Sequence, residues 1–69
     1  MKLSARNALP GIVRNIEPGA VNAEVTMELA PGLIVVSVIT LDAVKTLKLK
    51  VGDRAYAVIK ASSVMIAVD

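Results

Sequence analysis

The sequence predicts an all-β domain, a small five-stranded Greek-key barrel with one short helix, assembled as a symmetric homo-oligomer. Three observations carry that expectation. Pro and Gly punctuate the chain at Pro10-Gly11, Pro18-Gly19, Pro31-Gly32 and Gly52, which cuts it into segments of strand length. Residues 21–29 alternate apolar and polar without a slip. The chain has 69 residues, is 55% hydrophobic and contains neither Cys nor His. Disulfides and the usual zinc sites are therefore excluded as staples for a domain too short to bury that much aliphatic surface alone. Association between copies is the device that remains.

Taken in order, Gly11 to Ile16 reads as the first strand, and Glu17-Pro18-Gly19-Ala20 as a turn whose Pro-Gly pair suits the centre of a type II geometry. Val21, Ala23, Val25, Met27 and Leu29 form one face of the second strand, with Asn22, Glu24, Thr26 and Glu28 on the other. The third, Leu33 to Thr40, is rich in β-branched residues and lacks strict alternation, which predicts a strand covered on both faces, central or at a subunit contact. Leu41, Val44 and Leu47 then recur at helical spacing and predict one or two turns of helix, with Asp42 as its cap. Arg54 to Lys60 alternates again, placing Ala55, Ala57 and Ile59 on one side. Ala61-Ser62-Ser63 is a polar break before a closing strand from Val64 to Val68. Three strands, a helix and two more strands is the order of the OB-fold, in which a five-stranded sheet closes on itself.

Composition narrows function as well. Without His or Cys there is no catalytic triad, thiolate nucleophile or imidazole ligand, so the chain is expected not to be an enzyme. Its carboxylates fall in no calcium-loop pattern, and strand faces, helix and turn account for them. The net charge of +2 is mild, and Tyr56 is the only aromatic residue. A base-stacking platform is thus missing, which argues against nucleic acid, and Tyr56 is assigned to a subunit contact. Met27 and Met65 fall on apolar strand positions and are read as core or interface filling. Leu33 to Val36 is the longest aliphatic run, far short of a membrane span, and the first residues lack the apolar region of a secretory signal. A cytoplasmic location and no membrane association are expected.

Ser4, Arg6 and Asn7 before the first strand, and Lys60 leading into Ser62 and Ser63, offer a guanidinium, an ammonium, hydroxyls and turn amides. Such groups can replace water around a tetrahedral oxyanion, because each presents N–H or O–H and none is negative. On spacing alone, solvated surface residues are the simpler reading.

The motif Ser4-Ala5-Arg6-Asn7, followed by Leu9 and Gly11, resembles the opening of the molbindins, small molybdate-binding proteins of bacteria. The likeness continues through Val21-Asn22-Ala23-Glu24-Val25, Ile39-Thr40-Leu41-Asp42 and Ala57-Val58-Ile59-Lys60-Ala61-Ser62-Ser63-Val64-Met65. The resemblance implies one molybdate-binding domain of Mop or TOBE type over residues 1–69, an OB-like fold, and a homohexamer built as a trimer of dimers. It further implies molybdate, and by its similar size and charge tungstate, as bound ligand at subunit interfaces, with no other cofactor and no metal ligated directly. The main site is implied at Ser4, Arg6 and Lys60. Ala5, Asn7 and Ala61, within the same two motifs, complete its shell, and Thr40 and Ser62 are candidates by position. A possible second site is implied at Gly19, Ala20, Val21 and Asn22. Some relatives carry Ser where this chain has Ala43 and Ala61, so those two hydroxyl contacts are missing here. Storage, buffering or delivery of the oxyanion is the implied role, and a module of OB type that binds a partner protein or nucleic acid is the alternative.

Overall fold

A computed structural model describes residues 2–69, so Met1, the first residue of the expected domain, lies outside the described residues. Four strands form one antiparallel sheet: β1 (Asn7–Pro18), β2 (Asn22–Ala30), β3 (Leu33–Thr40) and β4 (Arg54–Ile59). Helix α1 (Leu41–Leu47) joins β3 to β4, and a 3-10 turn at Ala61–Ser63 follows β4. The sheet order is β3-β2-β1-β4, so the long β1 is central and both β3 and β4 are edges.

The alternation in β2 is what organises the core. Ala23, Val25 and Met27 are buried, and Val25 and Met27 pack with Val13 of β1 and Ala57 of β4 on one face of the sheet. Among the described residues Val13 is the one large side chain wholly removed from solvent. Ile16, Leu29, Val35, Ile39, Leu49 and Ala55 pack around this centre. Val21 lies ahead of β2 and is exposed, so the buried face begins one apolar position later than the alternation suggests.

β1 is longer than its punctuation predicts, because Pro10-Gly11 lies within the strand. Pairing with β2 begins only at Ile12, whereas β4 pairs from Asn7 onward. Pro10 therefore sits where the strand is paired on one side only, a place where a missing N–H is tolerated. Gly11 has its own reason: a Cβ there would lie 2.7 Å from the Glu28 carbonyl oxygen and 2.8 Å from Leu29 Cδ2. Further along, the register slips between Val13 and Asn15, which leaves Arg14 at a bulge. Its Nε donates to Glu28 Oε1 at 2.9 Å across the pair.

The Glu28 carboxyl is held below the usual carboxylate range, first by the Gly32 N–H donating to it and then by the Arg14 guanidinium. A lowered folded-state pKa means that the stabilisation is present above the unfolded value and is lost as pH falls through the folded one. Glu28→Gln is therefore expected to lower the denaturation midpoint at neutral pH, by an amount that shrinks as the pH is taken down through the acid range. Urea titrations across that range check this.

The turns correct two expectations. Gly19 does not adopt positive φ, so the first hairpin is not a type II turn; Pro18 ends β1, and the Gly19 N–H donates to the Asn22 carbonyl at 2.7 Å. Type II chemistry belongs to the second hairpin, where Gly32 has φ of 80° after Pro31. Helix α1 runs over the expected residues, but Thr40 and not Asp42 is its N-cap: Thr40 Oγ1 accepts from the Ala43 N–H at 3.0 Å. The helix ends on Lys48 at φ 53°, in the left-handed region that costs an L side chain about 1 kcal/mol. Lys48→Gly is accordingly expected to raise stability by up to about 1 kcal/mol, read from thermal or urea unfolding.

Two larger expectations also change. β3 is an edge strand, not a central one, and its outward Ile34, Val36 and Val38 are exposed in the single chain. Residues Val64 to Val68 form no strand: with β4 and β3 both open, the segment has left the sheet unpaired, and Met65, Ile66 and Val68 are each more than 85% exposed. The chain thus has four strands curled around a shallow core, not five closing a barrel.

Candidate functional site

The two polar motifs are far apart in sequence and adjacent in space. Asn7 pairs with Ile59 at the end of the β1–β4 ladder, and its Nδ2 donates to the Ile59 carbonyl at 3.2 Å across a separation of 52 residues. That clasp brings Ser4, Ala5 and Arg6, which run into β1, beside Lys60, Ala61 and Ser62, which leave β4. Strand pairing, a backbone property, thereby assembles a cluster that no helical or strand periodicity would reveal.

The chemistry of this end is one-sided. Arg6, Lys60, Ser4 and Ser62 are exposed, while Ala5 and Asn7 are half-buried. Among the described residues the ion pair is Arg14 with Glu28, so neither Arg6 nor Lys60 has a carboxylate within salt-bridge distance. No side chain caps the 3-10 turn at Ala61–Ser63, whose first amides follow Lys60 directly. Two cations, two hydroxyls, an amide side chain and turn amides flank the Asn7–Ile59 pair, with no carboxylate among them. An anion is the chemical class that such a set stabilises.

The sequence carries one further signal for this: no Asp or Glu occurs in residues 1–16 or 54–68, yet Lys2, Arg6, Arg14, Arg54 and Lys60 do. Because β1 and β4 are neighbours, those two acid-free stretches form one basic half of the sheet.

Thr40 stands elsewhere. It pairs with Asn22 at the far end of β2, at the opposite end of β1 from Asn7, and its hydroxyl oxygen is already engaged in capping α1. The structure joins it to Gly19, Ala20, Val21 and Asn22, not to Arg6 and Lys60 of the same chain. The Leu41 N–H donates to the Val21 carbonyl at 2.9 Å, and a hollow of about 320 Å³ is lined by Ala20, Val21, Thr40, Leu41, Asp42 and Lys45. In this second group the Gly19 amide is spent within the turn and Asp42 adds negative charge beside Lys45. Ala43, where a hydroxyl is missing, is half-buried on α1. No group of three or more Asp, Glu, His or Cys among the described residues could hold a cation. None of the helices is long and apolar enough to cross a membrane.

The fold and the site define a class: a small OB-like curled sheet with basic and hydroxyl side chains at the end where β1 meets β4. The particular family follows from the sequence, which matches the TOBE domain family over residues 3–66. The chain belongs to that family, with the Mop-type molybdate-binding proteins. It is 52% identical, over all 69 residues and the whole length of both chains, to a probable molybdenum-pterin-binding protein of Haemophilus influenzae. A molybdate-binding protein from Sporomusa ovata has the same fold, with a TM-score of 0.92 and 37% identity over 99% of this chain and 100% of the other. The cytoplasmic molybdate-binding protein ModG, with molybdate bound, superposes with a TM-score of 0.83 and 56% identity, over 88% of this chain and 43% of ModG.

Proposed function

We propose that this chain binds molybdate, and tungstate in competition with it, through Arg6 and Lys60. The observation that carries the reading is the junction of the two acid-free motifs by the Asn7–Ile59 pairing, in a family whose relatives bind molybdate. A tetrahedral oxyanion already has its metal fully coordinated by oxygen, so the protein supplies hydrogen-bond donors and positive charge and needs no His or Cys. Ser4 and Ser62 donate O–H, Asn7 donates the second hydrogen of Nδ2 while the first stays on the Ile59 carbonyl, and Ala5 and Ala61 contribute amides. Ala61 brings no hydroxyl, so Ser62 takes that part.

One chain leaves this cluster open to solvent, and a shared site at a subunit interface would enclose the ion. Fifteen large apolar side chains are exposed among the described residues, against three buried ones, Val13, Val25 and Met27, and that surplus supports a homo-oligomer; a hexamer made as a trimer of dimers is the form we infer. Between copies, Thr40 can join a site from which it is distant within one chain. Gly19 to Asn22 are the candidate second site, its donors being the Ala20 and Val21 amides with Lys45. Residues 1–69 act as one domain with a binding role and no catalysis, and the role is intracellular storage, buffering or delivery of the oxyanion in the cytoplasm.

Isothermal titration calorimetry tests the reading. Saturable heat with molybdate, displaced by tungstate and indifferent to sulfate, is expected. A folded, associated protein that gives no heat with molybdate would favour an interaction module instead.

A further inference from the structure

We propose that the loop from α1 to β4 is a docking surface for a short acidic segment of another protein, held by Lys48, Lys50 and Arg54 around Val51. The proposal goes beyond the oxyanion reading and uses none of the residues assigned to it.

Residues 43–54 carry Lys45, Lys48, Lys50 and Arg54 against a single acid, Asp53. That acid is engaged inside the loop, its Oδ2 accepting from the Lys50 N–H at 3.0 Å. Lys48, Lys50 and Arg54 are exposed, and among the described residues none has a carboxylate within salt-bridge distance. Val51, between Lys50 and Arg54 in the chain, is 62% exposed. Arg54 pairs with Ile12 whereas Ile59 pairs with Asn7, so this surface lies at the other end of the β1–β4 ladder from Arg6 and Lys60.

The loop backbone is fixed before any partner arrives. Leu49 packs against the core, the Gly52 N–H donates to the Val13 carbonyl at 2.8 Å, and the Val13 N–H donates to the Asp53 carbonyl at 2.9 Å. The Asp53 N–H closes the turn on the Lys50 carbonyl at 3.1 Å. A loop held in this way loses little freedom on binding. Lys48 adds a second observation: among the described residues it is the one non-glycine residue with positive φ, at a helix end where Gly carries no strain. The fold alone favours Gly there, and what Lys adds is an ammonium that its own chain leaves without a carboxylate.

Charge and size define the partner. A second copy laid on this surface by two-fold symmetry would set cation against cation. A bilayer is gripped by a helix with a broad apolar face, and in this stretch the exposed large apolar side chains are Leu47 and Val51. Single-stranded nucleic acid is held by stacked aromatic rings, and Lys48 to Arg54 contains none. A short segment with carboxylates on either side of one aliphatic residue matches cations on either side of Val51. Because every contact is exposed, the complex is weak and sensitive to salt.

The test titrates the ¹⁵N-labelled full chain with the capped peptide Asp-Glu-Leu-Glu-Asp and follows amide shifts at low and raised salt. Saturable shifts confined to residues 47–54, fading as salt is raised, are expected. Lys48→Gly should raise the unfolding midpoint and yet weaken the peptide by roughly 2- to 5-fold, the equivalent of one exposed ion pair. A purely structural role for Lys48 would move only the first of these. Lys48→Glu combined with Lys50→Glu should abolish binding without loss of folding, and Lys60→Ala should retain it. No shifts, shifts centred on Arg6 and Lys60, or a Lys48→Gly protein that binds as tightly as the parent would overturn the proposal and leave the molybdate titration untouched. Tighter binding to anionic lipid vesicles or to an oligonucleotide than to the peptide would overturn the choice of partner. Loss of assembly mass in the double variant, read by light scattering, would give the surface to a contact between copies and overturn it as well.

Discussion

Arg6→Ala and Lys60→Ala are each expected to weaken molybdate binding by roughly 10- to 100-fold, the equivalent of one charge-assisted hydrogen bond lost from a site that is otherwise intact. The reasoning rests on what surrounds the two cations. Neither has a carboxylate partner, both are exposed, and each directly adjoins a member of the Asn7–Ile59 pair that closes the β1–β4 ladder. Removing either therefore breaks no internal ion pair, and the thermal midpoint of each variant should match the parent within about 1 °C, since exposed substitutions away from packing change stability little. Calorimetric titration paired with thermal unfolding separates the two quantities. Equal loss of binding and of stability would mean that the residues hold the fold and not the ligand. Arg6→Lys should recover only part of the affinity, because an ammonium cannot give the paired N–H donors of a guanidinium.

The second large effect is on folding. Gly11→Ala should cost about 1–3 kcal/mol, the usual range for overpacking. At 2.7 Å from the Glu28 carbonyl and 2.8 Å from Leu29 Cδ2, the added methyl meets a backbone atom of the neighbouring strand and a side chain packed against the core. Neither can step aside without separating β1 from β2 near the point where their pairing starts. For a chain of this length each kcal/mol lowers the midpoint by roughly 4–8 °C, so thermal unfolding resolves the change easily. A midpoint unchanged by Gly11→Ala would show that the two strands lie further apart than this packing requires.

Much of the fold is legible in the sequence where a pattern is local. The alternation of β2 marks Ala23, Val25 and Met27 as buried, and Leu41, Val44 and Leu47 mark the helix at its observed ends. What fails depends on partners that no local pattern names. Pro10-Gly11 reads as punctuation because its place in β1 is permitted only by one-sided pairing. The apolar outer side of β3 says that Val36 and Val38 want cover, yet not that the strand is an edge. Val64–Val68 has the composition of a strand, yet it finds no partner in the sheet of its own chain.

The candidate site divides in the same way. Ser4, Arg6 and Lys60 come from motifs read through resemblance to the molbindins, and the pairing of Asn7 with Ile59 then supplies their proximity. Thr40 is a candidate only by its position after the third strand, and the antiparallel order of β1, β2 and β3 puts it at the other end of the subunit. Its local task is plain from position: a threonine directly before a helical run caps the helix.

The most direct test is anomalous diffraction at the molybdenum edge from crystals grown with molybdate. An anomalous peak within hydrogen-bond reach of the Arg6 guanidinium and the Lys60 ammonium, enclosed by a second copy, is the expected result. Molybdenum bound only elsewhere, with Arg6 and Lys60 facing solvent, would contradict the assignment of the site.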